Sequence, residues 1–282
     1  MTLAEDAAEV GVAAAPRALI VSLYGLYARQ QDGWLSVASV VRMMAEFGVD
    51  GQAVRSSVFR LKRRGLLIAE KVGRAAGYRL SDVGQDILAE GDSRIFSRRR
   101  GTLDEGWLLV TFSVPEAERE KRHLLRTQLA RLGLGTVAPG LWIAPAHRET
   151  EVAAALERAG LRGFTDLFRS HHVSSRPARE TVRTWWDLDA LDAVYAEFVQ
   201  RFEPVRARWA ADPDGPGARA FTDFVEVVTA WRRLPYLDPG LPLEVLPVGW
   251  VGVTAEDLFA ALRERLAGPA ATHARALLAG QA

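Results

Sequence analysis

Residues 50–64 read Asp-Gly-Gln-Ala-Val-Arg-Ser-Ser-Val-Phe-Arg-Leu-Lys-Arg-Arg. On a 3.6-residue period Val54, Val58 and Leu61 share one face, at the i, i+4, i+7 spacing that packs a helix onto a core. Gln52, Ser56, Phe59 and Arg63 share the opposite face. Arg60 flanks that outward stripe, and Arg55 and Lys62 flank the inward one, where long side chains reach phosphates. Cations interleaved with small polar groups suit a nucleic-acid groove, because Arg pairs with guanine edges, Gln with adenine, and Ser with bases or phosphates. Phe59 has two readings, contact with a thymine methyl or return onto a neighbouring helix. The bland alternative for the whole segment is a solvated basic helix in some other three-helix domain.

The flanking sequence favours the first reading. Residues 17–30 place apolar side chains at helical spacing behind Pro16, a residue suited to a helix start. Ser36 is placed to cap a second helix, Val37 to Phe47, with Val40, Met44 and Phe47 inward and Gly48 as its stop. Asp50 is placed to cap the third. Leu66–Lys71 and Gly77–Ser81 then flank Gly73-Arg74-Ala75-Ala76-Gly77, a glycine-bounded hairpin tip. Helix, helix, turn, helix, hairpin is the order of a winged helix-turn-helix, predicted over 15–81. The predicted partner is double-stranded DNA. Candidate contacts are Gln52, Arg55, Ser56, Ser57, Phe59, Arg60, Lys62, Arg63 and Arg64 on the recognition helix, with Arg74 at the wing tip.

Charge is distributed to match. Residues 17–100 hold 15 Lys/Arg against 8 Asp/Glu, whereas 101–282 hold 21 against 24, an asymmetry hidden by the net charge of +1. A chain of 282 residues exceeds a winged helix by roughly 180 residues, room for about one or two further domains. No cysteine is present, which excludes disulfides, thiolate zinc sites and thiol redox sensing. No stretch approaches the ~18 apolar residues of a membrane span, and the Ala-rich start lacks the pattern of a secretory signal. The expectation is a cytoplasmic, nucleoid-associated protein with no membrane partner, its residues 1–14 a frayed acidic tail.

Beyond the head, residues 82–101 read as a linker helix, 82–96, and a basic hinge, Ser97-Arg98-Arg99-Arg100-Gly101, whose arginines either graze the DNA backbone or simply solvate the linker. Trp107 to Val114 is a candidate strand stopped by Pro115, Glu116 to Leu132 a charged amphipathic helix, and Gly135 to Ala144 a strand kinked at Pro139-Gly140. A helix over 149–159 and a strand from Asp166 to Val173 follow. Strand, helix, strand, helix, strand predicts a ferredoxin-like α/β sandwich over 102–180. Residues 181–282 are predicted mainly helical, with helices at Leu188–Phe202, Ala218–Leu234 and Ala255–Leu266. The fold class is therefore α+β and multidomain.

Four stretches carry a family resemblance: Leu-Ile-Val-Ser-Leu-Tyr-Gly at 19–25, the basic helix through Gly65, Pro-Gly-Leu-Trp-Ile-Ala-Pro at 139–145, and Leu-Asp-Pro-Gly-Leu-Pro at 237–242 followed by Leu-Pro-Val-Gly-Trp-Val-Gly at 246–252. In this order they resemble the PaaX family of bacterial repressors from about residue 17 to 266. The resemblance implies a homodimeric repressor of phenylacetate degradation genes, released from its operator by phenylacetyl-coenzyme A or a related acyl-coenzyme A, with no cofactor. It also implies a central domain similar to CRISPR-associated adaptation nucleases. It transfers no ligand residues. A coenzyme A thioester needs cations for its phosphates and an apolar slot for its aryl end. Arg169, His171 and His172 at a strand end, and Trp231, Arg232 and Arg233 at a helix end, are candidate effector-binding residues.

The competing reading is a nucleic-acid-processing enzyme, with a nuclease-like central domain and a winged helix that positions substrate. The sequence lacks a phosphate-binding Gly-rich loop, a dinucleotide fingerprint and a nucleophile elbow. His171 and His172, as strand neighbours, point to opposite faces and would not share a metal. A nuclease of that kind wants a carboxylate at the end of its first strand; Trp107 to Val114 contains none, and Asp104 and Glu105 only precede it. No catalytic or metal-binding residue is predicted, and the central domain is expected to be a dimerisation scaffold.

Overall fold

The computed structural model describes residues 15–97, 99–173 and 176–279. The predicted tail, 1–14, and Arg98 of the basic hinge lie outside the described residues.

Pro16 opens helix α1 (Pro16–Leu23), which continues as a π turn, Tyr24–Ala28, and a 3-10 turn, Arg29–Gln31. Ser36 caps α2 (Val37–Ala45), its Oγ accepting from the Ser39 amide at 3.0 Å. Asp50 caps α3 (Gly51–Arg63). Before α2 lies a short strand, β1 (Trp34–Ser36), that sequence reading misses because three residues show no period. Strands β2 (Leu67–Val72) and β3 (Ala75–Leu80) form the predicted hairpin. The strand β1 pairs with the free edge of β3, giving an antiparallel sheet of order β1-β3-β2. The turn at Gly73 uses a φ of 58°, a region glycine enters without penalty. Helix α4 (Asp82–Phe96) follows, with Ser81 Oγ accepting from the Gly84 amide at 2.9 Å.

The next segment alternates strands and helices: β4 (Trp107–Phe112), α5 (Arg119–Arg131), β5 (Gly135–Ala138), β6 (Leu141–Pro145), α6 (Glu149–Arg158) and β7 (Thr165–Ser170). All pairings are antiparallel, in the order β5-β6-β4-β7. The single kinked strand expected over 135–144 is a hairpin instead. Pro139-Gly140 is its turn, with Gly140 at φ 82°, so the sheet gains a strand. Leu108 and Val110 of β4 point inward onto Leu125 and Leu129 of α5 and Val152 and Leu156 of α6, a core of fully buried aliphatic side chains.

The remainder is helical: α7 (Ala178–Trp185), which sequence reading missed, then α8 (Leu188–Ala211), α9 (Gly217–Trp231), α10 (Leu234–Leu237) and α11 (Val251–Ala279). Helices α8 and α11 run past the ends expected for them, through Pro204 and Pro269. The protein is thus α+β, with two antiparallel sheets among the described residues. The chain forms two compact units. One comprises the described residues up to Phe96, Glu197–Arg232 and the described residues from Val253 on; the other comprises Ser97–Ala196 and Arg233–Gly252.

Gly77 sits where β3 passes β1, and a Cβ there would lie 2.5 Å from both the Leu35 carbonyl and the Trp34 ring. Backbone cannot yield as a flexible side-chain end can, so Gly77→Ala is expected to destabilise by about 1–3 kcal/mol. Urea unfolding would register this as a lower midpoint; an unchanged midpoint would contradict the close approach.

Candidate nucleic-acid interface

Helix α3 begins where its sequence dictates. The Asp50 carboxylate accepts from the amides of Gln52 at 2.8 Å and Ala53 at 3.0 Å, filling donors the first turn leaves open. Those bonds, Ala53 first and Gln52 next, hold the Asp50 carboxyl below the usual carboxylate range. The thirteen residues of α3 span about 20 Å at 1.5 Å per residue. Val54, Ser57, Val58 and Leu61 are buried on its inner side.

Gln52, Arg55, Ser56, Phe59, Arg60, Lys62, Arg63 and Arg64 are all exposed, as is Arg74 at the hairpin tip. Ser57 is not: at 2% exposure it belongs with the inward stripe, one residue from Val58, and cannot meet a partner. Phe59 is 54% exposed and so does not return onto a neighbouring helix. Among the described residues, Arg55, Arg60, Lys62, Arg63 and Arg74 form no hydrogen bond or ion pair. Arg29 and Arg79 of the same compact unit are by contrast held by Asp92 and Glu70. An unpaired row of cations has the strongest attraction for an external polyanion, since no internal carboxylate has to be displaced. Lys71 on β2, exposed and likewise unpartnered among the described residues, is a further cation of the hairpin that sequence reading missed.

The candidate effector residues fare differently. Trp231 is buried, stacked on Phe259 with ring centroids 4.6 Å apart, and its Nε1 donates to the Ile95 carbonyl at 3.1 Å. Arg232 is buried and donates to the Ala18 carbonyl at 3.3 Å. Both are packing residues, out of reach of a ligand. Arg169 is exposed and paired with Glu149. Strand β7 ends at Ser170, so His171 and His172 lie beyond it and the expected strand alternation does not apply to them; His172 rests edge-on against Trp185 at 5.3 Å. Trp231 and Arg232 belong to one compact unit, Arg169 and His171 to the other. No group of three His, Asp or Glu among the described residues is placed to hold a metal, and no helix among them is long and apolar enough to cross a membrane.

Comparison with known proteins places these features. Three family profiles match in succession: "PaaX-like protein" over residues 15–84, "PaaX protein central Cas2-like domain" over 100–182, and "PaaX-like protein C-terminal domain" over 186–276. The chain belongs to the PaaX family. The transcriptional repressor PaaX of Escherichia coli (strain K12) is 31% identical over 258 residues, covering 90% of this chain and 80% of that protein. The uncharacterized protein Rv0674 from Mycobacterium tuberculosis shares the fold, with a TM-score of 0.57 at 22% identity over 92% of this chain and 98% of that one.

The stretch Leu237–Pro242 that carries much of the PaaX likeness has a structural task. Asp238 is 4% exposed and accepts from the Tyr195 hydroxyl at 2.7 Å and the Gly240 amide at 2.8 Å. The Arg100 guanidinium lies 3.5 Å from the same carboxylate, and the Gly101 amide donates to the Gly240 carbonyl at 2.9 Å. Arg99 is paired with Glu105. The described arginines of the basic hinge thus tie it to Glu105, through Arg99, and to Asp238, through Arg100. Glu105 also accepts from the Thr102 amide at 3.0 Å in a capping box.

The depressed Asp50 carboxyl gives α3 a pH signature. A group held below its unfolded value stabilises the fold above the ordinary Asp range and loses that contribution as pH falls through and below it. Chemical unfolding as a function of pH should show a steeper acid drop in the wild type than in Asp50→Asn, whose amide oxygen still caps, the remaining drop coming from the other depressed carboxyls, Glu70, Glu105 and Glu203. Equal slopes in the two proteins would mean that Asp50 does not hold the helix start.

Proposed function

We propose that this chain is a DNA-binding transcriptional repressor. The row of exposed, unpartnered cations on α3 and the hairpin tip carries the reading. In it, α2 and α3 form a helix-turn-helix, the β2–β3 hairpin is the wing, and α3 enters a major groove, which admits a helix of its width. Arg63, Ser56 and Gln52 read base edges; Arg55, Arg60, Lys62 and Arg64 bind phosphates; and Arg74 reaches phosphate or an adjacent minor groove. Exposed Phe59 meets a thymine methyl. The name of the Escherichia coli relative supports the repressor assignment. The strand order of the second sheet supports a ferredoxin-like domain, and we assign it the role of a dimerisation scaffold.

In a homodimer two heads would meet successive major grooves about one helical turn (~34 Å) apart, on an inverted repeat. An acyl-coenzyme A, phenylacetyl-coenzyme A first among those to be tried, would release the protein by altering head spacing or orientation, which needs a coupling of roughly 1–3 kcal/mol. The setting is the cytoplasm, at the nucleoid.

Fluorescence anisotropy of the protein on its own upstream DNA, with competitor DNA present and then with phenylacetyl-coenzyme A added, tests this directly. Specific binding reversed by the thioester is the expected result. Equal affinity for every DNA, or none for any, would overturn the repressor reading. Arg63→Ala is expected to cost about 1–3 kcal/mol at the true site and to relax preference there. Arg74→Ala should weaken all DNA alike and flatten the salt dependence. Unaltered affinity and preference in Arg63→Ala would remove α3 as the reader.

A further inference from the structure

Between the C-terminal part of α8 and the middle of α11, within one compact unit, lies an open groove of about 290 Å³. Its floor is apolar. Trp209 and Leu262 are buried there, and the small side chains of Ala210 and Ala261 leave the space that a larger residue would occupy. The indole is fixed in place, its Nε1 donating to Asp223 at 2.6 Å.

Two guanidiniums line the same groove. Arg206 gives its Nε to the Glu203 carboxylate at 3.0 and 3.1 Å and one terminal nitrogen to the same group. Its other terminal nitrogen has no partner among the described residues. Arg265 gives one terminal nitrogen to the Pro213 carbonyl, and its remaining nitrogens are likewise unpartnered among the described residues. Each cation is thus held in position while keeping donors for a ligand. Cations beside an apolar floor recognise an organic anion with a hydrophobic body. Ligand pockets run from roughly 300 to 1,000 Å³, so this one, at their lower edge, suits a body of about one aromatic ring or a short aliphatic chain.

Helix α11 carries this position to the head. Beyond the groove, His273 Nε2 lies 3.5 Å from the Glu46 carboxylate at the end of α2, and Arg42 of α2 donates to the Leu277 carbonyl at 3.1 and 3.0 Å. Pro269 stands between groove and clasp. Lacking an amide hydrogen, it cannot bond the carbonyl four residues earlier, that of Arg265, so the helix ladder lacks one bond beside the groove.

We propose that this groove binds an amphipathic organic anion and that its occupancy acts on α2 and α3 through the end of α11. The proposal deepens the repressor reading and rests on it for its consequence, though not for the binding itself.

Fluorine NMR of the full chain with 4-fluorophenylacetate, and separately with 4-fluorophenylacetyl-coenzyme A, tests the site and distinguishes a free acid from a thioester as its source. At least one probe should broaden on the wild type. Ala261→Trp, with helical content checked by circular dichroism, fills the groove and should abolish the broadening. Arg265→Met should weaken binding at least tenfold, and Arg265→Lys should restore most of it. The bound probe should also change the affinity for upstream DNA in the wild type and not in Ala261→Trp. Probes that stay sharp, or that bind Ala261→Trp as tightly as wild type, overturn the site. Saturation without a change in DNA affinity overturns its coupling. Absence of specific DNA binding in the unliganded wild type would sink the repressor reading alone, leaving the groove to be judged by the fluorine signal.

Discussion

Helix α1 has no face for water. Leu19, Ile20, Val21, Ser22 and Leu23 are consecutive and all buried, a pattern that requires neighbours on every side. Helix α3 supplies one neighbour and α9, some 200 residues later in the chain, supplies another. The one polar side chain in the run, Ser22, lies with its Oγ 2.7 Å from Thr229 Oγ1, which removes the cost of burying it alone. Phe221 of α9 packs against both Tyr27 and Phe47, on either side of α2 in sequence. The inner stripe of α3 rests on this assembly, so the direction in which its cations point is set by helices from the far end of the chain.

The second compact unit follows the same physical rule with a different group. A buried carboxylate is tolerated only when its oxygens are bonded and its charge matched. Asp238 meets that demand by drawing together Tyr195 and Arg100, which are distant in sequence, and the amide of Gly240 in its own turn. Its neighbour in space Tyr195 also packs edge-on against Trp250, from the second half of the C-terminal signature. Asp-Pro-Gly and Gly-Trp are thus read as packing and turn chemistry. They explain why a family can be recognised from these stretches.

Much of the N-terminal unit was legible in the sequence because its signals are local. Ser36 and Asp50 stand as caps, Gly48 as a stop, and the aliphatic stripe of α3 has the helical period without interruption. What failed was tertiary or too short to show a period. Strand β1 has three residues. Ser57 neighbours Val58 in sequence and on the helix, and only the depth of α3 in its bed separates it from Ser56. The helix expected to end at Leu266 continues through Pro269 to Ala279, and its last turns dock on α2 through Arg42 and the Leu277 carbonyl. Trp231 and Arg232 have the composition of a ligand site and the surroundings of a core. The groove at Arg206 and Arg265 exists only where two helices meet, about 60 residues apart, and nothing in either stretch announces it.

In the proposed reading α3 and the hairpin tip form the surface that meets DNA, and the compact unit that presents them includes α9 and α11. Hydrogen–deuterium exchange of the full chain, with and without its upstream DNA, reads this most directly. New protection is expected over residues 52–63 and at the tip around Arg74, with α1, α9 and the end of α11 already slow to exchange in the free protein. Protection confined to the β5-β6-β4-β7 sheet, with α3 unchanged, would contradict it.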